Sequence, residues 1–127
     1  KKIVYLPLDE RPCNYDFCGF VVQHNKEIDF VRPKSLFRLK KTPADCHAVK
    51  NFLSSECADA DYLILAVDML LYGGIVPSRL HFLSQEEIFS RVDFIKTLKE
   101  INPKLKIFAF SLVMRCPTYS SGAILLL

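Results

Sequence analysis

An unbroken apolar run, Tyr62-Leu-Ile-Leu-Ala-Val67, ends on a carboxylate, Asp68, and this limits the available folds more than any other stretch. A short run of this kind, rich in β-formers, suits a central strand buried on both faces better than one wetted on alternate residues. Placing Asp68 where the run should continue is costly unless the carboxylate has partners. It is therefore either hydrogen-bonded into the following loop or kept there for chemistry. Gly73-Gly74 follow, permitting positive φ and close backbone approach, and Ser78-Arg79 add a hydroxyl and a fixed positive charge.

The flanking segments alternate strand and helix. Ile3 to Leu8 reads as a first strand, closed by the charged loop Asp9-Glu10-Arg11-Pro12. Asn14 is placed to cap a helix from Tyr15 to about His24, with Phe17, Val21 and Val22 facing the sheet. Glu27 to Val31 alternates like a second strand, and Arg32-Pro33 ends it. Thr42 as cap, Pro43 at the first helical position and Asp45 at the third predict a helix to about Ser55, burying Val49, Phe52 and Leu53. Ser84-Gln-Glu-Glu87 spells a capping box, with Leu83 and Ile88 spaced as a hydrophobic staple. Ile88, Val92, Ile95 and Leu98 continue at helical spacing until Asn102-Pro103, and Lys106 to Val113 reads as a fourth strand. Strand and helix in regular succession imply right-handed crossovers and a mainly parallel α/β sheet, either the opening units of a (β/α) barrel or an open doubly wound sheet.

A chain of 127 residues, half of them hydrophobic, is long enough for one packed core and too short for two ordinary domains, so a single domain is expected. The net charge of +3 is modest. The basic residues between Arg32 and Lys41 read as a solvated loop rather than a nucleic-acid surface. Five cysteines at 13, 18, 46, 57 and 116, without CxxC spacing, argue against a disulfide framework or a structural zinc site and point to a reducing cytoplasm. No apolar segment approaches the roughly 20 residues of a membrane span. The bare apolar run Ala123-Ile-Leu-Leu-Leu127 has no cap or polar stop, so a missing C-terminal portion or a homo-oligomer partner is expected to cover it.

In parallel α/β sheets, ligand-facing residues gather at the carboxyl ends of the strands. Three polar clusters fall there: Asp9, Glu10 and Arg11; Asp68, Tyr72 and Arg79; and Arg115 with Thr118. Asp9 or Glu10 with Asp68 can supply the paired carboxylates that glycoside cleavage requires, one neutral as acid and one ionised as base or nucleophile. Against this stands the structural reading, in which Asp9 caps a loop and Asp68 bonds backbone amides. Arg11, Arg79 and Arg115 can grip two oxygens of a phosphate, carboxylate or acidic sugar, or pair internally with the same acids. The Gly-Gly pair is too poor in glycine for a phosphate cradle and reads as a tight turn. A hard cation such as Mg²⁺ on Asp9, Glu10 and Asp68 is the weaker alternative, since nothing fixes ligand spacing, and no cofactor is otherwise predicted. His24, His47 and His81 read as surface residues, and Cys13 and Cys18 as small apolar filling.

At Leu6-Pro-Leu-Asp-Glu-Arg-Pro-Cys-Asn14, Ala66-Val-Asp-Met-Leu-Leu-Tyr-Gly-Gly-Ile-Val-Pro-Ser-Arg79 and Met114-Arg-Cys-Pro-Thr118, the chain resembles the bacterial domain-of-unknown-function family DUF4127. Members of that family are much longer, so the resemblance implies an N-terminal part of such a protein. It brings no established activity. It does imply that Asp9, Arg11, Asn14, Asp68, Tyr72, Gly73, Gly74, Ser78, Arg79 and Arg115 occupy motif positions. The expectation from the carboxylates and arginines is a hydrolase-like domain acting on a small, polar, hydroxyl-rich substrate such as a carbohydrate. The alternative is a non-catalytic ligand-binding or assembly domain whose charged loops are structural.

Overall fold

The computed structural model describes residues 1–34, 43–79 and 82–113. In chain order the elements are β1 (Lys2–Leu6), α1 (Pro12–Tyr15), α2 (Phe17–Val22), β2 (Asp29–Val31), α3 (Cys46–Cys57), β3 (Tyr62–Ala66), α4 (Val67–Tyr72), α5 (Ile75–Arg79), α6 (Gln85–Ile101) and β4 (Lys106–Phe110). The four strands form one sheet in the order β2-β1-β3-β4, and every pairing is parallel. That order settles the architecture. A barrel would place β2 between β1 and β3, whereas here β1 lies between β2 and β3, which is the doubly wound arrangement.

Register explains the core. Val4 is paired with Leu63 and Leu6 with Leu65, while Leu63 in turn is opposite Ile107, so these side chains share one face. That face packs against Val49 and Leu53 of α3 and Leu98 of α6, all essentially inaccessible to solvent. The helix starts follow from their caps. Ser84 accepts from Glu87 N–H while the Glu87 carboxylate accepts from Ser84 N–H, which is the predicted capping box. Asp45 itself caps α3 by accepting from His47 N–H at 2.9 Å, so the helix starts three residues later than Thr42 would place it. Thr42 lies outside the described residues. At the far end of α6, Asn102 donates to the Cys57 and Ala60 carbonyls at 2.9 and 2.8 Å, which ties α6 to the end of α3.

The opposite face differs from expectation. Tyr62 and Ile64 of β3 are only half-buried, and Phe108 and Phe110 of β4 are exposed, because among the described residues no helix packs on that half of the sheet. Val92 of α6 is likewise exposed, and Phe94 with Ile95 turns inward instead. The segment after β1 is two short helical pieces bending at Asp16, not one helix capped by Asn14. Phe17 and Val21 point to solvent, at 55% and 84% exposure, and Cys13 and Cys18 are exposed rather than filling the interior. What fastens this segment is polar. The Tyr5 hydroxyl donates to the Asn14 carbonyl, Tyr15 donates to the Pro33 carbonyl, and Arg32 lies over the Tyr15 ring while bonding the Tyr15 carbonyl. His24 and His47 are exposed, and His81 lies outside the described residues.

Candidate functional site

Because all four strands run the same way, their carboxyl ends share one edge, and the loops leaving them touch in series. Beyond β3 the chain turns directly into α4, so Asp68 sits in a first helical turn rather than in a loop. A carboxylate is favourable there beside the unpaired N–H groups of a helix start. α4 ends at Gly73, whose φ of +82° is left-handed and whose N–H returns to the Met69 carbonyl. At this point the segment before α3 reaches the loop after β3: Ala44 N–H donates to the Gly73 carbonyl at 3.0 Å. A Cβ on Gly73 would lie 2.6 Å from that same nitrogen. Gly74, at φ +140°, lies against the β1 loop, with its Cβ position 3.9 Å from the Leu8 carbonyl oxygen. The tight-turn reading of the glycines therefore has a structural content: they let three strand-end loops close on one another.

The two aspartates at this edge are buried to similar degrees, at 6% exposure for Asp9 and 7% for Asp68, but their surroundings differ. Asp9 is surrounded by donors. Its Oδ1 accepts from Arg11 N–H at 3.0 Å and Asn14 Nδ2 at 2.7 Å, and its Oδ2 accepts from Arg11 Nε at 2.8 Å. A buried carboxylate with three donors, one of them a cation, is an anchor for its loop. Asp68 is held at one oxygen only: Oδ2 accepts from Ser111 Oγ at 3.2 Å and from Leu112 N–H at 3.1 Å, both just beyond β4. Its Oδ1 makes no hydrogen bond among the described residues. Glu10 is half-buried beside Asp9 and has no hydrogen bond or ion pair among the described residues.

Tyr72, one turn after Asp68, has its phenol pushed above the usual range by burial first and by the negative charge of Asp68 second. It remains a neutral hydroxyl donor beside the carboxylate. Ser78 is buried, and its hydroxyl donates to the Ile75 carbonyl at 2.6 Å, one turn back in α5. Arg79 closes α5, half-buried, and Arg11 leaves half its side chain in solvent with Nε fixed by Asp9. Arg115 and Thr118 lie outside the described residues. Among the described residues no three of His, Cys, Asp and Glu gather as a metal-ligand group, and no helix is long and apolar enough to cross a membrane.

Sequence reasoning missed the partners of Asp68. Ser111 stands as the one hydroxyl in the apolar segment Lys106 to Val113, and that interruption was the available signal. It also missed Arg91, which donates to the Leu71 carbonyl and so satisfies a carbonyl in the last turn of α4 from α6.

The site thus consists of a half-engaged carboxylate at the end of a central strand, a neutral phenol beside it, and a second loop locked by an aspartate–arginine pair. It lies where the order β2-β1-β3-β4 reverses its winding direction, the crevice in which open parallel sheets bind ligands. No curated protein and no solved structure matches the chain. The family described as "Protein of unknown function (DUF4127)" matches residues 3–124, nearly the whole sequence, and the chain belongs to that family.

Proposed function

We propose that the carboxyl edge of the sheet binds a small, polar, hydroxyl-rich molecule of the carbohydrate kind and that Asp68 acts as the acid/base group of a hydrolase-type reaction on it. One observation carries this reading: Asp68 is buried at the end of β3 with Oδ2 fixed by two donors and Oδ1 uncommitted among the described residues. With Oδ2 held by two donors and Oδ1 open among the described residues, the role assigned is that of a base accepting a proton from a substrate hydroxyl or water. Glu10 is the second carboxyl group available to such chemistry, with Asp9 holding the loop that carries it. Arg11, Arg79 and the Tyr72 hydroxyl supply donors to ligand oxygens, with Asn14 positioned through Asp9. The charges support a neutral ligand over an anion: Asp9, Glu10 and Asp68 balance or exceed Arg11 and Arg79 at this edge. The cysteine pattern supports a reducing cytoplasm as the setting.

Amide chemical-shift mapping with a panel of neutral sugars tests the binding half. Saturable shifts are expected together in Asp9–Asn14, Asp68–Gly74 and Ser111–Leu112. Shifts confined to a single loop, or none with any sugar, would remove the shared site. A second reading, in which the charged loops are purely structural, is favoured specifically by Asp9, whose three donors leave it little capacity for chemistry.

A further inference from the structure

α4 leaves β3 without an intervening loop, and its faces differ in character. Ala66 just before it and Met69 and Leu70 within it belong to the buried core, so Asp68 and Tyr72, one helical turn apart, share the face turned away from that core. Long helical side chains lie back over the preceding turn, which carries the Tyr72 phenol toward Asp68. Burial and the charge of Asp68 together keep the proton on that phenol. The pair therefore offers a ligand one acceptor and one donor side by side. We propose that it reads a vicinal diol: one hydroxyl of the ligand donates to Asp68 Oδ1 while the adjacent hydroxyl accepts from Tyr72.

Two features favour a pair of neighbouring hydroxyls. Asp68 is drawn toward the end of β4, where Ser111 Oγ and Leu112 N–H hold its Oδ2 at 3.2 and 3.1 Å, whereas Tyr72 stands a turn further along α4, beside Gly73. The two groups thus meet a ligand from separate positions on one face, which suits two hydroxyls better than one. The second feature is chemical. A hydroxyl both donates and accepts, so adjacent hydroxyls satisfy a carboxylate oxygen and a phenol at once without any charge on the ligand. This inference rests on the carbohydrate reading of the site and narrows it to polyols whose hydroxyls stand on adjacent carbons. A ring with hydroxyls only on alternate carbons lacks the matching pair and is expected to bind more weakly.

Amide chemical-shift titration with two neutral probes decides the matter: myo-inositol, with a hydroxyl on every ring carbon, and phloroglucitol, the same ring with hydroxyls on alternate carbons. In the wild type, myo-inositol is expected to give saturable shifts in Asp68–Gly74 and Ser111–Leu112, and phloroglucitol to bind more weakly. Tyr72→Phe, which keeps the ring and removes the donor, should raise the dissociation constant for myo-inositol by about three- to tenfold and abolish the preference over phloroglucitol. The wild-type preference tests the diol even if that variant fails to fold. Equal affinity for the two probes, no shifts with myo-inositol, or a preference that survives Tyr72→Phe would each overturn the proposal. Should other neutral sugars shift the same amides in any of those cases, the diol pair falls and the carbohydrate site stands; should no sugar shift them, both fall.

Discussion

Asp9 and Asp68 are equally hidden, yet their hydrogen-bond partners divide their roles. With three donors on its two oxygens, Asp9 has been converted into part of the loop. Asp68 is hydrogen-bonded at one oxygen only among the described residues. The residue that makes this arrangement possible is Gly73. A side chain there faces two separate costs: a left-handed φ of +82°, worth roughly 1–2 kcal/mol, and a Cβ driven to 2.6 Å from Ala44 N, an overpacking worth roughly 1–3 kcal/mol more. Gly73→Ala is therefore expected to lower unfolding stability by about 2–5 kcal/mol in urea titration. A loss below about 0.5 kcal/mol would mean that the contact between the segment before α3 and the loop after β3 is not as drawn. The glycine pair was legible in the sequence as a turn. Its partner Ala44 was not, because nothing in a single sequence records which loop lies across from a glycine.

At the level of elements, what the sequence specifies locally is what it revealed. The capping box at Ser84 involves atoms three residues apart, and it forms as read. The parallel sheet was legible because strand–helix alternation at these lengths admits few other topologies. Burial was less legible, since it depends on what packs on each face. The run Tyr62 to Val67 reads as buried on both sides, but helices α3 and α6 cover one face only, and Tyr62 and Ile64 remain half-open. α2 misled for the same reason. Phe17 and Val21 have helical spacing and apolar character, while the segment is fastened by Tyr5, Tyr15 and Arg32 through backbone carbonyls, which periodicity does not register. Asp68 was located correctly at the strand end. Its holders, Ser111 and Leu112, stand more than forty residues away and were visible only once β4 was seen beside β3.

Across the whole molecule, several buried groups are tuned in one direction. Burial raises the Cys57 thiol from 9.0 to about 11, the Tyr5 hydroxyl is raised by burial and by its neighbour Cys18, and Tyr72 is raised by burial and Asp68. Burial pulls Lys2 down, but its hydrogen bonds to Asp59 and Glu56 outweigh this and leave it raised. Each of these groups holds its proton more tightly folded than unfolded. Their contribution is therefore complete below the unfolded pKa and drains away as pH climbs through the folded one. The melting temperature should stay level through neutral pH and fall progressively from about pH 9 upward, as Cys57 enters its window first. A melting temperature unchanged up to pH 11 would contradict that set of shifts. At this scale the parallel sheet also explains the site, because it alone carries residues from three distant segments to one edge. The central claim is that Asp68 performs chemistry there, and the turnover of a chromogenic glycoside panel by wild type and Asp68→Asn tests it most directly. The account predicts hydrolysis by the wild type and a kcat lowered by roughly 10²–10⁴-fold in a variant that still folds. Equal turnover by both proteins, or a variant whose only change is a lower melting temperature, would contradict it.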